Sequence, residues 1–139
     1  MPKVTAESLA KLDSLCFDAS AAMSAEEWQT LLDKNPFVVC EFSAGELVAA
    51  GVAVHAAGIG YLYSLAVAPK YRRHGVGKQL TNARMEYLAA RCSRVQAHTH
   101  TNNLPSQNNL KSFGFNPIQY VPVFYDDMED AILWQKVII

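Results

Sequence analysis

The sequence predicts a mixed α/β fold, one central sheet with helices packed on it, and three observations carry that prediction. Stretches with helical spacing of apolar residues alternate with short β-branched and aromatic runs, in the order helix, helix, three strands, helix, strand, helix, two strands. The chain has 139 residues, 50% of them hydrophobic, which suits one compact domain with a sizeable core. No repeat, low-complexity tract or Pro/Gly/Ser linker interrupts it, so residues 1–139 are expected to form a single domain.

Each element has its own signal. The first helix is expected from about Ala6 to Phe17, with Thr5 as N-cap and Leu9, Leu12, Leu15 and Cys16 at helical spacing. A second opens at Ser24, which forms a capping box with Glu27 ahead of an apolar face of Trp28, Leu31 and Leu32. Pro36 ends it and starts the strand FVVCEF, which turns through Ser43, Ala44 and Gly45 into ELVAAGVAVHA, a β-hairpin. After Gly58 to Gly60 comes YLYSLAV, apolar on both faces and therefore expected near the centre of the sheet. From Gly75 to about Ala90 the chain reads as a helix whose inward face is Val76, Leu80, Ala83 and Tyr87. Val95 to Thr101 reads as a strand, and Pro105 to Phe113 as a short helix stopped by Gly114. The last two strands, IQYVPVFY and AILWQKVI, are joined by the acidic turn DDMED.

Composition excludes several function classes. A formal net charge of −1 leaves no general excess of positive charge to displace counterions from a nucleic-acid backbone, so no nucleic-acid partner is expected. No apolar stretch approaches the roughly 20 residues that cross a bilayer, and charges interrupt the N-terminal segment where a signal peptide needs an apolar run. The expectation is a cytoplasmic protein with no membrane partner. Cys16, Cys40 and Cys92 are odd in number, far apart and without a CxxC pair, and are expected as buried thiols.

The most informative stretch is YLYSLAVAPKYRRHGVGKQL, a buried strand that runs through a short basic glycine loop into a helix. The first turn of a helix leaves several backbone N–H groups without intrahelical partners and carries a partial positive charge, so it favours a phosphate. Gly75 and Gly77 allow close approach of the backbone, while Arg72, Arg73, His74 and Lys78 add positive charge. By itself such a loop is also what a solvent-exposed basic helix start looks like. Two other phosphate loops fail on the letters. Gly77 and Lys78 are followed by Gln79 where a Walker A loop needs Ser or Thr, and Leu80 stands where a dinucleotide fingerprint needs glycine.

RRHGVG, Arg72 to Gly77, resembles the Arg/Gln-x-x-Gly-x-Gly/Ala signature of the GNAT superfamily of acyl-CoA-dependent N-acetyltransferases. NLPSQNNLKSFGF, Asn103 to Phe115, resembles that family's Asn-x-x-Ala-x-x-Leu-Tyr-x-x-x-Gly-Phe segment at the same spacing. The superfamily resemblance spans about residues 5 to 135. SLCF, followed by a helix carrying Trp28, and FYDDMEDAILW near the end resemble more narrowly the bacterial ribosomal-protein alanine N-acetyltransferases. The resemblance implies a mostly antiparallel sheet with a splayed strand pair and flanking helices. It implies acetyl-CoA as donor and coenzyme A as product. The pantetheine arm would meet the backbone of Leu65 and Val67, and the pyrophosphate the amides of Arg73, His74, Gly75, Val76, Gly77 and Lys78, with Arg72 beside them. Asn103 would contact the cofactor from the other side of the splay.

The family reaction is direct attack of an amine on a thioester, with backbone N–H stabilisation of the oxyanion and a base for the amine. By resemblance the Val67 N–H is the oxyanion donor, and His98 stands where a base is expected, five residues before Asn103. A histidine packed in a strand for structural reasons is the other reading of His98. The chain departs from the family at Leu110, where a tyrosine usually serves as acid for the departing thiolate. Loss of such an acid costs about 10² to 10⁴ in rate, although a thiol of pKa about 8.5 leaves as thiolate unaided. Tyr61, Tyr63, Tyr71, Tyr120 and Tyr125 are candidate substitutes.

His98 and His100 share one strand face, but no Cys, Asp or Glu nearby in sequence completes a ligand set, and no metal site is assigned. The DDMED turn reads as a solvated hairpin turn, with attraction of a cationic acceptor as the alternative. The expected acceptor is a primary amine, on a small molecule or a peptide. An α-amino group of pKa near 8 is deprotonated more readily than a lysine amine, which favours a peptide N-terminus. A non-catalytic acyl-CoA-binding sensor or interaction module is the alternative, supported by Leu110. With only MPKV before the first helix, the family's first strand is short or absent, leaving a sheet edge that invites homodimer pairing.

Overall fold

A computed structural model describes residues 3–17, 21–125 and 127–138. Its elements follow the expected order: α1 (Ala6–Cys16), α2 (Ala25–Leu32), β1 (Phe37–Ser43), β2 (Glu46–Ala56), β3 (Ile59–Val67), a 3-10 turn (Pro69–Tyr71), α3 (Val76–Ala89), β4 (Arg94–His100), α4 (Leu104–Ser112), β5 (Asn116–Val121) and β6 (Ala131–Val137). The six strands form one sheet in the order β1-β2-β3-β4-β6-β5. Every pairing is antiparallel except β3 with β4. The mixed, mostly antiparallel sheet with flanking helices is thus the architecture the sequence predicts.

Local chemistry accounts for the boundaries. Thr5 and Ser24 each cap a helix with a reciprocal box, Thr5 with Ser8 and Ser24 with Glu27, so two otherwise orphaned donors are satisfied at each start. Ala44 and Gly45 (φ 51° and 81°), then Ala57 and Gly58 (φ 53° and 78°), take the left-handed conformations that let two-residue turns join twisted antiparallel strands. Helix α4 ends in paired back-bonds, Gly114 N–H to Lys111 O (3.0 Å) and Phe115 N–H to Leu110 O (3.1 Å), with Gly114 at φ 88°. This end folds Phe115 onto Leu110 in the core.

Alternation along β2 splits the core between the two faces of the sheet. Val48, Ala50 and Val52 face α1 and α2, where Leu9, Leu12, Trp28 and Leu31 are buried. Ala53 belongs to the opposite cluster, with Leu62, Met85, Leu88, Val95, Phe115 and Trp134. The two tryptophans are each 1% exposed and anchor one cluster apiece.

Four expectations need correction. Leu15 is exposed, and Asp13 takes the buried place on α1, because its carboxylate accepts from Met23 N–H (3.0 Å) and Trp28 Nε1 (3.2 Å). The buried face of α3 is Leu80, Thr81, Arg84, Met85 and Leu88; of the four residues read as inward, Leu80 alone is buried. Strand β5 stops at Val121, so Phe124 and Tyr125 belong to the following loop. Cys92 alone is a buried thiol; Cys16 and Cys40 are half-buried, Cys40 because β1 is an edge strand.

Arg84 lies inside because the sheet makes room and supplies acceptors. The register of β2 and β3 slips between Val52 and Ala53, so Tyr63 is an extra residue on β3. At that bulge Arg84 Nη1 donates to Val52 O (3.2 Å) and Ser64 O (2.9 Å), while Nε donates to Leu80 O (3.4 Å) and Nη2 to Thr81 Oγ1 (3.2 Å). Gly51 provides the space, since a Cβ there would lie 2.9 Å from Arg84 Nε. With the guanidinium pinned by these bonds, Gly51→Ala is expected to destabilise the fold by about 1–3 kcal/mol. A denaturation midpoint unchanged from the parent chain would contradict it.

Candidate active site

Strands β3 and β4 pair only from Ile59–Tyr61 to Arg94–Gln96 and then part. Ala68 N–H donates to Val48 O on β2 (2.8 Å), so strand alternation turns the N–H and C=O groups of Leu65 and Val67 the other way, towards the gap. On that side Val67 O accepts from Arg72 Nε (2.8 Å) and Cys16 Sγ (3.4 Å). No β4 group answers the N–H groups of Leu65 and Val67, because the pairing ends at Tyr61, four residues before the first and six before the second. The result is a wedge-shaped crevice with the unpaired N–H groups of Leu65 and Val67 along one wall.

At the open end of β3 the chain curls into α3. Arg73 (φ 65°) and Gly75 (φ 82°) are both left-handed, a conformation glycine adopts without penalty and arginine does not. The first intrahelical bond is Gln79 N–H to Gly75 O (3.0 Å). Among the described residues, none of the amides from Arg73 to Lys78 donates to a backbone acceptor. Arg73, His74 and Lys78 are exposed, and no carboxylate among the described residues pairs with them. Gly77 stands over the end of β3, where a Cβ would lie 3.7 Å from Leu65 and 3.9 Å from Val67. Bare amides, a helix start and unpaired cations suit a diphosphate lying at this place. Arg72 is turned back on Val67 through Nε, and Asn103 accepts from Ser106 N–H (3.2 Å) as the N-cap of α4.

His98 lies on β4 facing the mouth of the gap. Its Nδ1 is 2.5 Å from the Tyr61 hydroxyl, and its ring stacks on Phe124 at 4.1 Å with planes 13° apart. Burial lowers the pKa of the imidazole below its ordinary value, and burial also pushes the Tyr61 hydroxyl up to about 12. At neutral pH the pair therefore consists of a neutral imidazole and a protonated phenol. His100, two residues on and on the same face, stacks on Tyr125 at 3.7 Å.

The loop after β5 closes this side. Phe124 and Tyr125 cover the two histidines, and Asp127 brings a carboxylate oxygen to 3.5 Å from His100 Nε2. Asp130 accepts from Val123 N–H (2.8 Å) and from the Tyr120 hydroxyl, which fixes the loop. The acidic turn is thus in part a wall of the site and not only a solvated turn. Together with Asp13, Met23 and Glu27 from the α1–α2 side, Phe124, Tyr125 and Asp127 line a cleft of about 540 Å³. Burial raises the Asp13 pKa against its two hydrogen bonds. Among the described residues no set of three His, Cys, Asp or Glu side chains is placed to hold a metal ion.

Of the five candidate tyrosines, Tyr61, Tyr63 and Tyr125 line the cleft, Tyr71 packs against the α1–α2 core, and Tyr120 holds Asp130. Sequence reasoning missed Asp13 and Phe124 on the cleft wall, and reached Asp127 only through the second of its two readings of the DDMED turn. Asp13 left one signal, a carboxylate four residues after Leu9 and one after Leu12 on the apolar stripe of α1. Phe124 left no signal of its place over His98, because that place depends on how the loop folds back.

The sequence profile described as acetyltransferase (GNAT) family matches residues 6–115. A curated relative, an N-alpha-acetyltransferase of Sulfurisphaera tokodaii, is 33% identical over 76 residues, 53% of this chain and 46% of the relative. The aligned part of the chain thus spans about half the length of that relative. Among solved structures, Ard1 from Thermoplasma volcanium superimposes with a TM-score of 0.86 at 17% identity, over 99% of this chain and 95% of that one. The ribosomal-protein-S18-alanine N-acetyltransferase from Escherichia coli gives 0.84 at 19% identity, over 96% and 87%. At these identities the two structures speak for a shared fold.

Proposed function

Because the chain belongs to the acetyltransferase (GNAT) family, we propose that it moves an acetyl group from acetyl-CoA to a primary amine, with a peptide α-amine as the preferred acceptor. The observation that carries this reading is one continuous path. Unpaired amides from Arg73 to Lys78 lead to the parted strands, and the parted strands lead to the Tyr61–His98 pair at the floor of an acidic, aromatic cleft.

The roles follow from position. Main-chain N–H groups of residues 73–78 hold the diphosphate, and Leu65 and Val67 present backbone groups to the pantetheine arm. The donor supplies an activated acyl carbon. The Val67 N–H, directed into the gap, stabilises negative charge on the acyl oxygen. Asp13, Glu27 and Asp127 favour a cationic acceptor entering the cleft. The Tyr61 oxygen takes the proton of the attacking amine, directly or through a water, while its own proton passes to His98 Nδ1. Asn103 borders the same cleft and contacts the donor from the β4 side. A cytoplasmic site of action, the absence of a nucleic-acid partner and pairing of two copies along the β1 edge belong to the same reading. Balanced charge and the edge position of β1 support the last two.

The test is a panel of peptides with free N-termini, the same peptides blocked at the N-terminus, and small amines, followed by thiol release and product mass. Acetylation of free α-amines and none of the blocked set is expected. Turnover of small amines alone would overturn the peptide preference. Acetyl-CoA binding without thiol release across the panel would support the sensor module instead.

A further inference from the structure

Arg84 is a buried cation that the mechanism above does not use. Only 2% of its surface is exposed, and no carboxylate among the described residues pairs with it. Burial lowers its pKa to about 10, so it keeps its charge at neutral pH. Of the five N–H groups on a guanidinium, four are engaged, and all four acceptors are neutral oxygens: three backbone carbonyls and the Thr81 hydroxyl. The positive charge is solvated by the fold but not cancelled.

Its place is specific. Arg84 lines a small second cavity of about 90 Å³ between the parted strands, with Ser64 and Leu65 on one wall, His98 and Thr99 on the other, and Leu110 and Asn109 from α4. Thr81 binds this assembly together: its hydroxyl donates to Gly77 O (2.9 Å) and accepts from Arg84 Nη2 and Asn109 Nδ2 (3.1 Å). An arginine serving only to fill space would be replaced at lower cost by an apolar residue, since an uncompensated buried charge weakens the fold. A fixed cation in the wall of the gap stabilises negative charge appearing there.

We propose that the Arg84 guanidinium is the positive charge against which the donor's sulfur departs, so that the reaction proceeds with Leu110 in the crevice and no hydroxyl at that position. The inference rests on the acetyl-CoA reading given above. In the step concerned the amine nitrogen forms the C–N bond and the C–S bond breaks. Its electron pair goes to sulfur, and the amine proton leaves through Tyr61 and His98. The thiolate takes up a proton from solvent afterwards. Arg84 loses and gains no atom; it lowers the free energy of the anion.

The test reads the ionisation of bound coenzyme A first, and turnover beside it. Binding of coenzyme A, and of an analogue whose thiol is replaced by hydrogen, is measured by calorimetry across about pH 6 to 10, with thiolate absorbance followed in parallel. The thiol of coenzyme A bound to the unmodified protein is expected to ionise about one pH unit below an ordinary thiol of pKa about 8.5, a tenfold gain in thiolate. Arg84→Met is expected to abolish that shift and to lower kcat about tenfold with KM for acetyl-CoA nearly unchanged; Arg84→Lys retains most of the shift. A bound thiol that ionises as in free coenzyme A overturns the proposal with the unmodified protein alone, whether or not Arg84→Met folds. A shift that persists in a folded Arg84→Met variant overturns it as well. Failure of coenzyme A to bind at all would instead refute the donor assignment.

Discussion

His98→Ala is expected to lower kcat by about 10² to 10⁴ while leaving acetyl-CoA affinity within about twofold. The imidazole's hydrogen bond goes to Tyr61 and its ring stacks on Phe124, neither of which belongs to the amide cradle, so its removal is expected to interrupt proton transfer and leave donor binding largely intact. The pH profile separates this role from packing. Burial lowers the His98 pKa, so the neutral, proton-accepting form is present above that depressed value. The kcat profile should therefore rise with pH through a limb below about 6.5, the ordinary imidazole value, and be flat across neutrality. In His98→Ala that limb disappears. Tyr61→Phe breaks the same relay at its other end and should give a comparable loss, with the double variant no worse than either single one. Losses that add instead would show that the two residues do not act as one unit.

Arg73→Glu is expected to weaken acetyl-CoA binding by about 10- to 100-fold, from loss of a charge-assisted contact and the gain of a repulsive one. Stability should hardly change, because Arg73 is exposed and makes no hydrogen bond or ion pair with another described residue. Its left-handed backbone tolerates glutamate no worse than arginine. The weakening should shrink as salt is raised, since exposed charges are screened within about 10 Å at 0.1 M ionic strength. Calorimetric titration alongside thermal melting decides the matter. An equal loss of affinity and of melting temperature would mark the loop as structural.

How much of this was legible in the sequence differs between the two halves of the site. The donor side is local: a strand, a basic glycine loop and a helix start are consecutive, so RRHGVG and its flanks reveal the bare amides directly. Capping boxes, two-residue turns and the Gly114 stop are likewise short-range features. The acceptor side is assembled from residues far apart. Tyr61 meets His98 across the start of a parting strand pair, and Phe124 and Tyr125 reach the histidines only because β5 ends at Val121. Periodicity also misplaced the buried face of α3. An arginine at position 84 looks like a solvent residue until the Val52 bulge and the Gly51 gap supply its acceptors and its space. Polar groups buried by tertiary hydrogen bonds, Asp13 and Arg84 here, break the apolar stripe that the eye follows along a helix.

Amide hydrogen exchange with and without acetyl-CoA tests the account most directly, because it reads the main-chain N–H groups themselves. Strong protection confined to residues 73–78 and to Leu65 and Val67 is the result predicted for a donor held along the loop and the parted strand. Acetyl-CoA that binds while these amides exchange at their free rates would contradict it.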